Sequence, residues 1–286
     1  MIGYGGVQVK KFLLIVLAVM TISTVIGGKY HWNQKVSAVQ TKVNVTEEKS
    51  DEGIVEESKS IESQKVEAEP DKDRLVKLDK VNFLPKELQP IFQKAIEEQR
   101  PVNLMITGSS STSHKDGAWP QLLESKLLDT YGDSLIHVTI KEIGGKTSQQ
   151  VVKESIYKKM VNMKPDILLL EPFLLYDNGE IRMSERLKNI SKIIKSFKKA
   201  NPDMTILIQP ANPIYGAYYY TDEENDLERY AKQNNYTYLD HWKAWPDYNK
   251  SEIEDYLTEG NVPNDKGNET WAKYLKEYFV RDDEKE

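Results

Sequence analysis

The 286-residue chain contains no cysteine and only four histidines. The absence of cysteine excludes disulfide scaffolds, thiolate zinc sites, iron–sulfur clusters, a cysteine nucleophile and an acylated-cysteine lipoprotein anchor. So few histidines argue against a multi-histidine metal centre, and neither a metal nor a cofactor is expected. Long apolar runs are scarce: 39% of residues are hydrophobic, 29% are charged and mean hydropathy is −0.61. These values exclude a polytopic membrane protein, a collagen-like chain and a wholly disordered one.

Charge of one sign is concentrated rather than spread. Between Glu47 and Asp73 stand eleven acidic residues against four lysines, a local charge of −7, whereas the whole chain carries −6. The rest is therefore close to neutral, and without a basic stripe it offers little to a nucleic acid, which is not expected as a partner.

Lys10 and Lys11 precede an uncharged run, Phe12 to Gly28 (FLLIVLAVMTISTVIGG), near the minimum length for spanning a bilayer. Residues 1–29 read as an export signal. It either stays as a single-pass anchor with an extracytoplasmic domain or is cut near Gly27 and Gly28, releasing a secreted protein. Residues 30–76 are rich in Glu, Ser, Lys and Val without helical or strand periodicity, and they read as a disordered acidic tether. Residues 77–286 form the folded domain.

Within that domain short apolar runs alternate with amphipathic stretches, which predicts a three-layer α/β sandwich around a doubly wound, mostly parallel five-stranded sheet of flavodoxin-like type. Strands are expected at Val102 to Thr107, Ile136 to Ile143, Asp166 to Leu170, Met204 to Gln209 and Tyr236 to Leu239. The third, DILLL, is the most apolar and should be central. Helices are expected at Trp119 to Tyr131, Ser148 to Met160, Ser184 to Ala200, Thr221 to Gln233 (capped by the threonine) and Asp265 to Phe279. Ligands of open parallel sheets bind beyond the carboxyl ends of the strands. The segments to watch are thus Gly108-Ser109-Ser110, Gly144-Gly145, Glu171 to Asn178, Gln209 to Asn212 and Asp240-His241. None has the spacing of a phosphate-binding or dinucleotide loop.

In order, MITGSSST (Met105 to Thr112), AWPQLL, IGGKTS (Ile143 to Ser148), EPFLLYDNG (Glu171 to Gly179) and TEGNVPNDKGNETWAKYL (Thr258 to Leu275) resemble the blocks of the SGNH hydrolases, also called GDSL esterases or lipases. The resemblance spans about residues 100 to 280. It implies Ser110 as nucleophile in the Gly-Asp-Ser block, with Ser109 at the aspartate position, and it implies oxyanion donors at Gly145 and Asn178. In the last block, however, Val262 stands at the histidine position and Glu259 at the aspartate position. A valine takes no proton from a serine hydroxyl. His241, just beyond the fifth strand, is the substitute base expected, with Glu259 as its acid; His114, four residues past Ser110, is the other histidine in reach.

The expected activity is that of an extracytoplasmic esterase acting on acyl esters, of small molecules or of a cell-envelope polysaccharide, with the N-terminal helix in the membrane. Two alternatives stay open: a catalytically degenerate module that binds glycan in the same groove, and an acyltransferase that passes the acyl group to a polymer hydroxyl. The tyrosines of YGAYYYTDEE (Tyr215 to Glu224) are either a carbohydrate-stacking rim or a loop that covers core.

Overall fold

A computed structural model describes residues 72–280. The apolar run at residues 12–28, His31 and most of the acidic tract lie outside the described residues. Among the described residues no helix is long and apolar enough to cross a membrane.

Helix α1 (Lys72–Val81) and helix α2 (Gln89–Glu97) precede strand β1 (Val102–Gly108). Helix α3 (Trp119–Tyr131) leads to β2 (Ile136–Glu142). The expected helix over 148–160 is two pieces, α4 (Ser148–Lys153) and α5 (Lys158–Val161). Ser155 breaks it by adopting φ 56°, a left-handed conformation that no α-helix continues through. Next come β3 (Ile167–Leu170), the short α6 (Leu174–Asp177), α7 (Met183–Ala200) and β4 (Thr205–Ile208). Helix α8 (Tyr218–Gln233) starts three residues before the expected threonine cap, so Thr221 lies inside it and its hydroxyl bonds back to the Ala217 carbonyl. Strand β5 (Thr237–Tyr238), two 3-10 turns (His241–Ala244 and Ser251–Tyr256) and α9 (Asp265–Phe279) complete the domain.

All five strands are parallel, in the order β2-β1-β3-β4-β5. β3 is central and every residue in it is buried. Alternation along the strands sends side chains to two separate cores. Leu104, Ile106, Ile167, Leu169 and Leu207 pack with α1, α2, α3 and α9 on one face. Met105, Leu168, Leu170, Ile206 and Ile208 pack with α7 and α8 on the other. The three-layer expectation therefore holds.

Helix α1 crosses the expected boundary at residue 77. Lys72 to Val76, assigned to the tether from composition, are the first residues of α1, which fixes itself to the domain through Leu78 and fully buried Val81. A local charge pattern was also hidden in the average: Lys188, Lys192, Lys195 and Lys199 are exposed along one side of α7, although the domain as a whole is close to neutral.

Close packing behind the last loop depends on one glycine. A Cβ on Gly267 would lie 2.3 Å from the Tyr256 carbonyl oxygen, 3.0 Å from the Trp245 ring and 3.2 Å from Pro263. The first of these is backbone and cannot swing aside. Gly267→Ala should therefore destabilise the domain by about 3 kcal/mol, read as a lower denaturant midpoint at unchanged slope; an unchanged midpoint would refute this packing.

Candidate active site

The sheet order makes β1 and β3 neighbours whose connections leave in opposite directions, the point at which open α/β sheets open a crevice at their carboxyl edge. The serine turn after β1 occupies that point. Thr112 N–H donates to the Ser109 carbonyl at 3.1 Å, closing a tight turn. The Trp119 indole, at the start of α3, donates to the Ser111 carbonyl at 2.8 Å and stacks on Trp271 of α9 at 4.7 Å. Two elements from the same core face thereby clamp the turn from behind.

Beneath the turn lies Glu171, the first residue after β3 and fully buried. Its Oε2 accepts from Ser109 N–H (2.7 Å), Ser109 Oγ (2.7 Å) and Thr112 Oγ1 (3.0 Å). Burial pushes this carboxyl up to about 7, with the donors from Ser109 and Thr112 opposing the shift. Gly108 is required here by contact, since a Cβ would sit 2.4 Å from Thr112 Oγ1 and 2.5 Å from Glu171. Ser111 Oγ donates to Asn212 Oδ1 at 2.8 Å, tying the turn to the loop after β4.

Ser110 is the serine of the turn that faces outward. It lines a cleft of about 690 Å³ together with Ser113, Lys115, Glu142, Thr258, Val262 and the Asn264 to Lys266 segment, among others. The resemblance had paired the last block with the serine block, and the structure does bring them face to face. The residue at the histidine position, Val262, lines the same cleft as Ser110.

His241 is not the substitute base. It is completely buried, stacks on Trp271 at 3.9 Å, and both ring nitrogens are engaged. Nε2–H donates to the Pro210 carbonyl at 3.0 Å, and Nδ1 accepts from the Trp245 indole at 3.0 Å. The indole nitrogen is only a donor and the carbonyl only an acceptor, so this tautomer is fixed. Burial lowers the imidazole to about 3. Glu259, expected as its acid, is exposed on the loop after the second 3-10 turn and does not line the cleft. The oxyanion residues are not drawn to the cleft either. Gly145 is exposed after β2 and lies against the Tyr176 ring, where a Cβ would come within 3.0 Å. Asn178 is exposed in the turn closing α6, where Glu180 N–H and Ile181 N–H donate to the Asp177 carbonyl. Of the tyrosine run, Tyr220 is buried at 1% exposure, while Tyr218 and Tyr219 are 75% and 83% exposed, so it both covers core and leaves a rim.

What the sequence reading missed is Glu142, the last residue of β2. Its Oε2 accepts from His114 Nδ1 (2.7 Å), His114 N–H (3.1 Å) and Ser113 Oγ (3.3 Å). A carboxylate only accepts, so Nδ1 carries the proton and Nε2 of His114 presents its lone pair. The His114 side chain is 70% exposed. Carboxylate to Nδ1, with Nε2 free, is the orientation that a serine–histidine–acid constellation uses.

No family model and no curated protein matches this sequence. Solved structures do match. A G-D-S-L family protein from Desulfitobacterium hafniense superposes with TM-score 0.50 at 18% identity, covering 62% of this chain and 99% of that one. LAE5, an alpha/beta hydrolase enzyme from the metagenome of Lake Arreo, gives TM-score 0.51 at 13% identity over 62% of this chain and 94% of that one. A carbohydrate esterase family 3 protein from Talaromyces cellulolyticus gives 0.50 at 15%, over 61% and 94%. With the strand order, the serine turn after β1 and the last block folded over it, these likenesses show that the chain has the SGNH hydrolase fold.

Proposed function

We propose that the chain is an acyl-ester hydrolase in which Ser110 is the nucleophile and His114, oriented by Glu142, is the base. The observation that carries this reading is the His114–Glu142 pair: its carboxylate lines the same cleft as Ser110, and it is the one imidazole–carboxylate hydrogen bond among the described residues. In the reaction, Ser110 Oγ forms a bond to the acyl carbon as its proton passes to His114 Nε2. That proton then goes to the departing alkoxide as the ester C–O bond breaks, and a water repeats the sequence to release the acid. The developing oxyanion is assigned to backbone N–H groups at the carboxyl edge, for a simple reason. The amide groups of Asn212, Asn264 and Asn268 already donate to the backbone carbonyls of Asn261, Leu257 and Pro263 respectively.

As substrate we propose an acylated cell-envelope polysaccharide, with the domain held outside the cytoplasm by the N-terminal apolar run. What supports this is the open, polar cleft and the signal-like layout of residues 1–29; the fungal carbohydrate esterase of the same fold is a parallel only.

One observation favours a second reading, a glycan-binding module that no longer cleaves: Val262 occupies the cleft wall where the resembled block carries its histidine. Hydrolysis of an aryl acetate and of an acetylated polysaccharide by the purified protein separates the two, with Val262→His beside it. Activity in the parent, little changed by Val262→His, supports the hydrolase. An inert parent that becomes active with Val262→His establishes the binding module instead.

A further inference from the structure

A second pocket of about 230 Å³ lies at the opposite edge of the sheet from Ser110, between α8, the end of β5 and the following 3-10 turn. It shares no lining residue with the serine cleft. Three aromatic rings line it, Tyr238, Trp242 and Tyr248, and so do three carboxyl groups, Glu224, Glu228 and Asp240. Trp242 is held in place by its indole N–H, which donates to the Ala211 carbonyl at 2.6 Å, and its ring meets Tyr248 at 5.2 Å and 59°.

Glu224 is the unusual member. The residue is 4% exposed, and its two buried carboxyl oxygens have only the Tyr220 hydroxyl beside them, too poorly aligned for a well-formed hydrogen bond. The Tyr220 hydroxyl, one turn earlier on α8, lies beside it but donates to the Asn212 carbonyl at 3.3 Å. A buried carboxyl without a well-formed hydrogen bond costs stability, several times more when ionised than when neutral. Accordingly burial, opposed by the Tyr220 hydroxyl and the Arg186 charge but reinforced by Glu171 and Glu223, pushes this group well above the ordinary range of a glutamate. The other two acids are partly neutralised at the rim: Glu228 pairs with Lys232 at 2.7 Å and Asp240 with Lys243 at 3.2 Å.

From this juxtaposition we propose that the pocket binds a small organic cation, an alkylated ammonium group held between the Trp242, Tyr238 and Tyr248 rings with Glu224 as its counter-charge. Aromatic faces attract a cation through their quadrupoles, and most strongly where water is excluded. A positive charge in the pocket would stabilise Glu224 as a carboxylate, which Arg186, paired to Glu223, only partly does. A metal ion fits less well: among the described residues no three carboxylates or imidazoles are placed to hold one, and ring faces are poor metal ligands. The chemistry recognised is the ammonium, whether on a free amine or on a headgroup or polymer substituent.

Calorimetric titration of the full-length protein with choline, against its uncharged tert-butyl isostere, tests this. Choline should bind saturably and the isostere at least about tenfold more weakly. Glu224→Gln, which keeps the shape and removes the charge, should weaken choline about tenfold or more. Should that variant fold poorly, Tyr248→Leu, at a partly exposed position, should weaken choline and leave any isostere binding nearly unchanged. Lys243→Gln should tighten choline by removing a competing ammonium from Asp240. Ser110→Ala should leave it unchanged, because the two sites are separate. Equal affinity for choline and its isostere, no saturation by about 100 mM choline, weaker binding in Lys243→Gln, or loss of binding in Ser110→Ala would each overturn the proposal. Tetramethylammonium binding as well as choline places recognition on the ammonium alone, as proposed.

Discussion

Ser110→Ala should reduce ester hydrolysis by about 10³-fold or more in kcat, with little change in KM, because the hydroxyl forms the covalent acyl intermediate while the cleft that receives the substrate stays intact. His114→Gln should have an effect of similar order, since the serine then loses the acceptor of its proton. Glu142→Gln should cost about 10²- to 10⁴-fold. Its amide can turn an N–H toward Nδ1 and select the tautomer in which Nε2, now protonated, accepts nothing. The three groups act as a unit, so Ser110→Ala combined with His114→Gln should be hardly worse than Ser110→Ala alone. Glu259→Gln should change nothing, because that carboxylate is solvent-exposed away from the cleft. Single-turnover kinetics on the five variants, with a thermal melt of each to show that the fold is unchanged, read these outcomes. If Ser110→Ala remains active, the serine mechanism is wrong; if only His114→Gln remains active, the serine attack stands and the base is another group.

The layered fold was legible because strand and helix periodicities in this chain are strong and local. DILLL could only be a strand buried on both faces, and the alternation in β1 divides cleanly between two cores. Ser155 was not legible, because nothing in its composition distinguishes it from a helical serine; its left-handed backbone is imposed by the need to turn α4 toward α5. That α1 crosses the expected boundary at residue 77 was not legible for a related reason. Helix α1 has few apolar residues, and only Leu78 and Val81 reveal that it docks.

At the site, motif order put Ser110 in the segment that lines the cleft, and it put His241 on the same edge, where the structure buries it. Position after a strand says which edge of the sheet a residue occupies, but it does not say whether its side chain points to solvent or to core. For His241 two tryptophans decide the matter: Trp245 donates to its Nδ1 from the end of the same 3-10 segment, and Trp271 stacks on it from α9. Glu142 was overlooked because it reads as an ordinary charge closing a strand, and Glu171, though it opens a segment to watch, was given no role. The available signal was that both close strands adjacent to β1, so each faces the serine turn. Ser109, standing where the resembled block has an aspartate, donates to Glu171, and a carboxylate thus reaches that spot from a neighbouring strand.

The domain should be most stable in mild acid and should lose stability as the pH is raised toward 8. Glu171 moves from 4.5 to about 7 on folding, through burial. Its sign follows directly: between those values the folded protein keeps a proton that the unfolded chain has released, so stability is full below 4.5 and falls as pH rises through 7. At full burial the loss from this residue is roughly 3 kcal/mol. Glu224 and Asp177 are raised as well, each chiefly by burial, and they add to the same limb. His241 works in the opposite direction. Burial lowers it from 6.5 to about 3, so the unfolded chain binds a proton that the folded one refuses, and stability falls as pH drops from 6.5 toward 3. Between pH 4.5 and 6.5 the rising contribution of His241 is offset by that of Glu171, and Glu224, raised well above the ordinary range, tips the net slope downward with pH. Below 4.5 the Glu171 contribution is complete, and the acid decline is set by His241 together with Glu185 and Asp247, whose carboxyls are lowered by the hydrogen bonds from Lys188 and Asn249. Urea unfolding at intervals from pH 4 to pH 8 should therefore show its highest midpoint near the acid end, in contrast to the usual maximum between about pH 5 and 8. Glu171→Gln carries no titrating proton at this position. Its stability relative to the parent should improve by up to roughly 3 kcal/mol between pH 4.5 and pH 8, whatever the amide costs at a single pH. A parent midpoint that is flat or rising over that interval, or a Glu171→Gln difference that does not change with pH, would show that Glu171 titrates in the folded protein as it does in the unfolded chain.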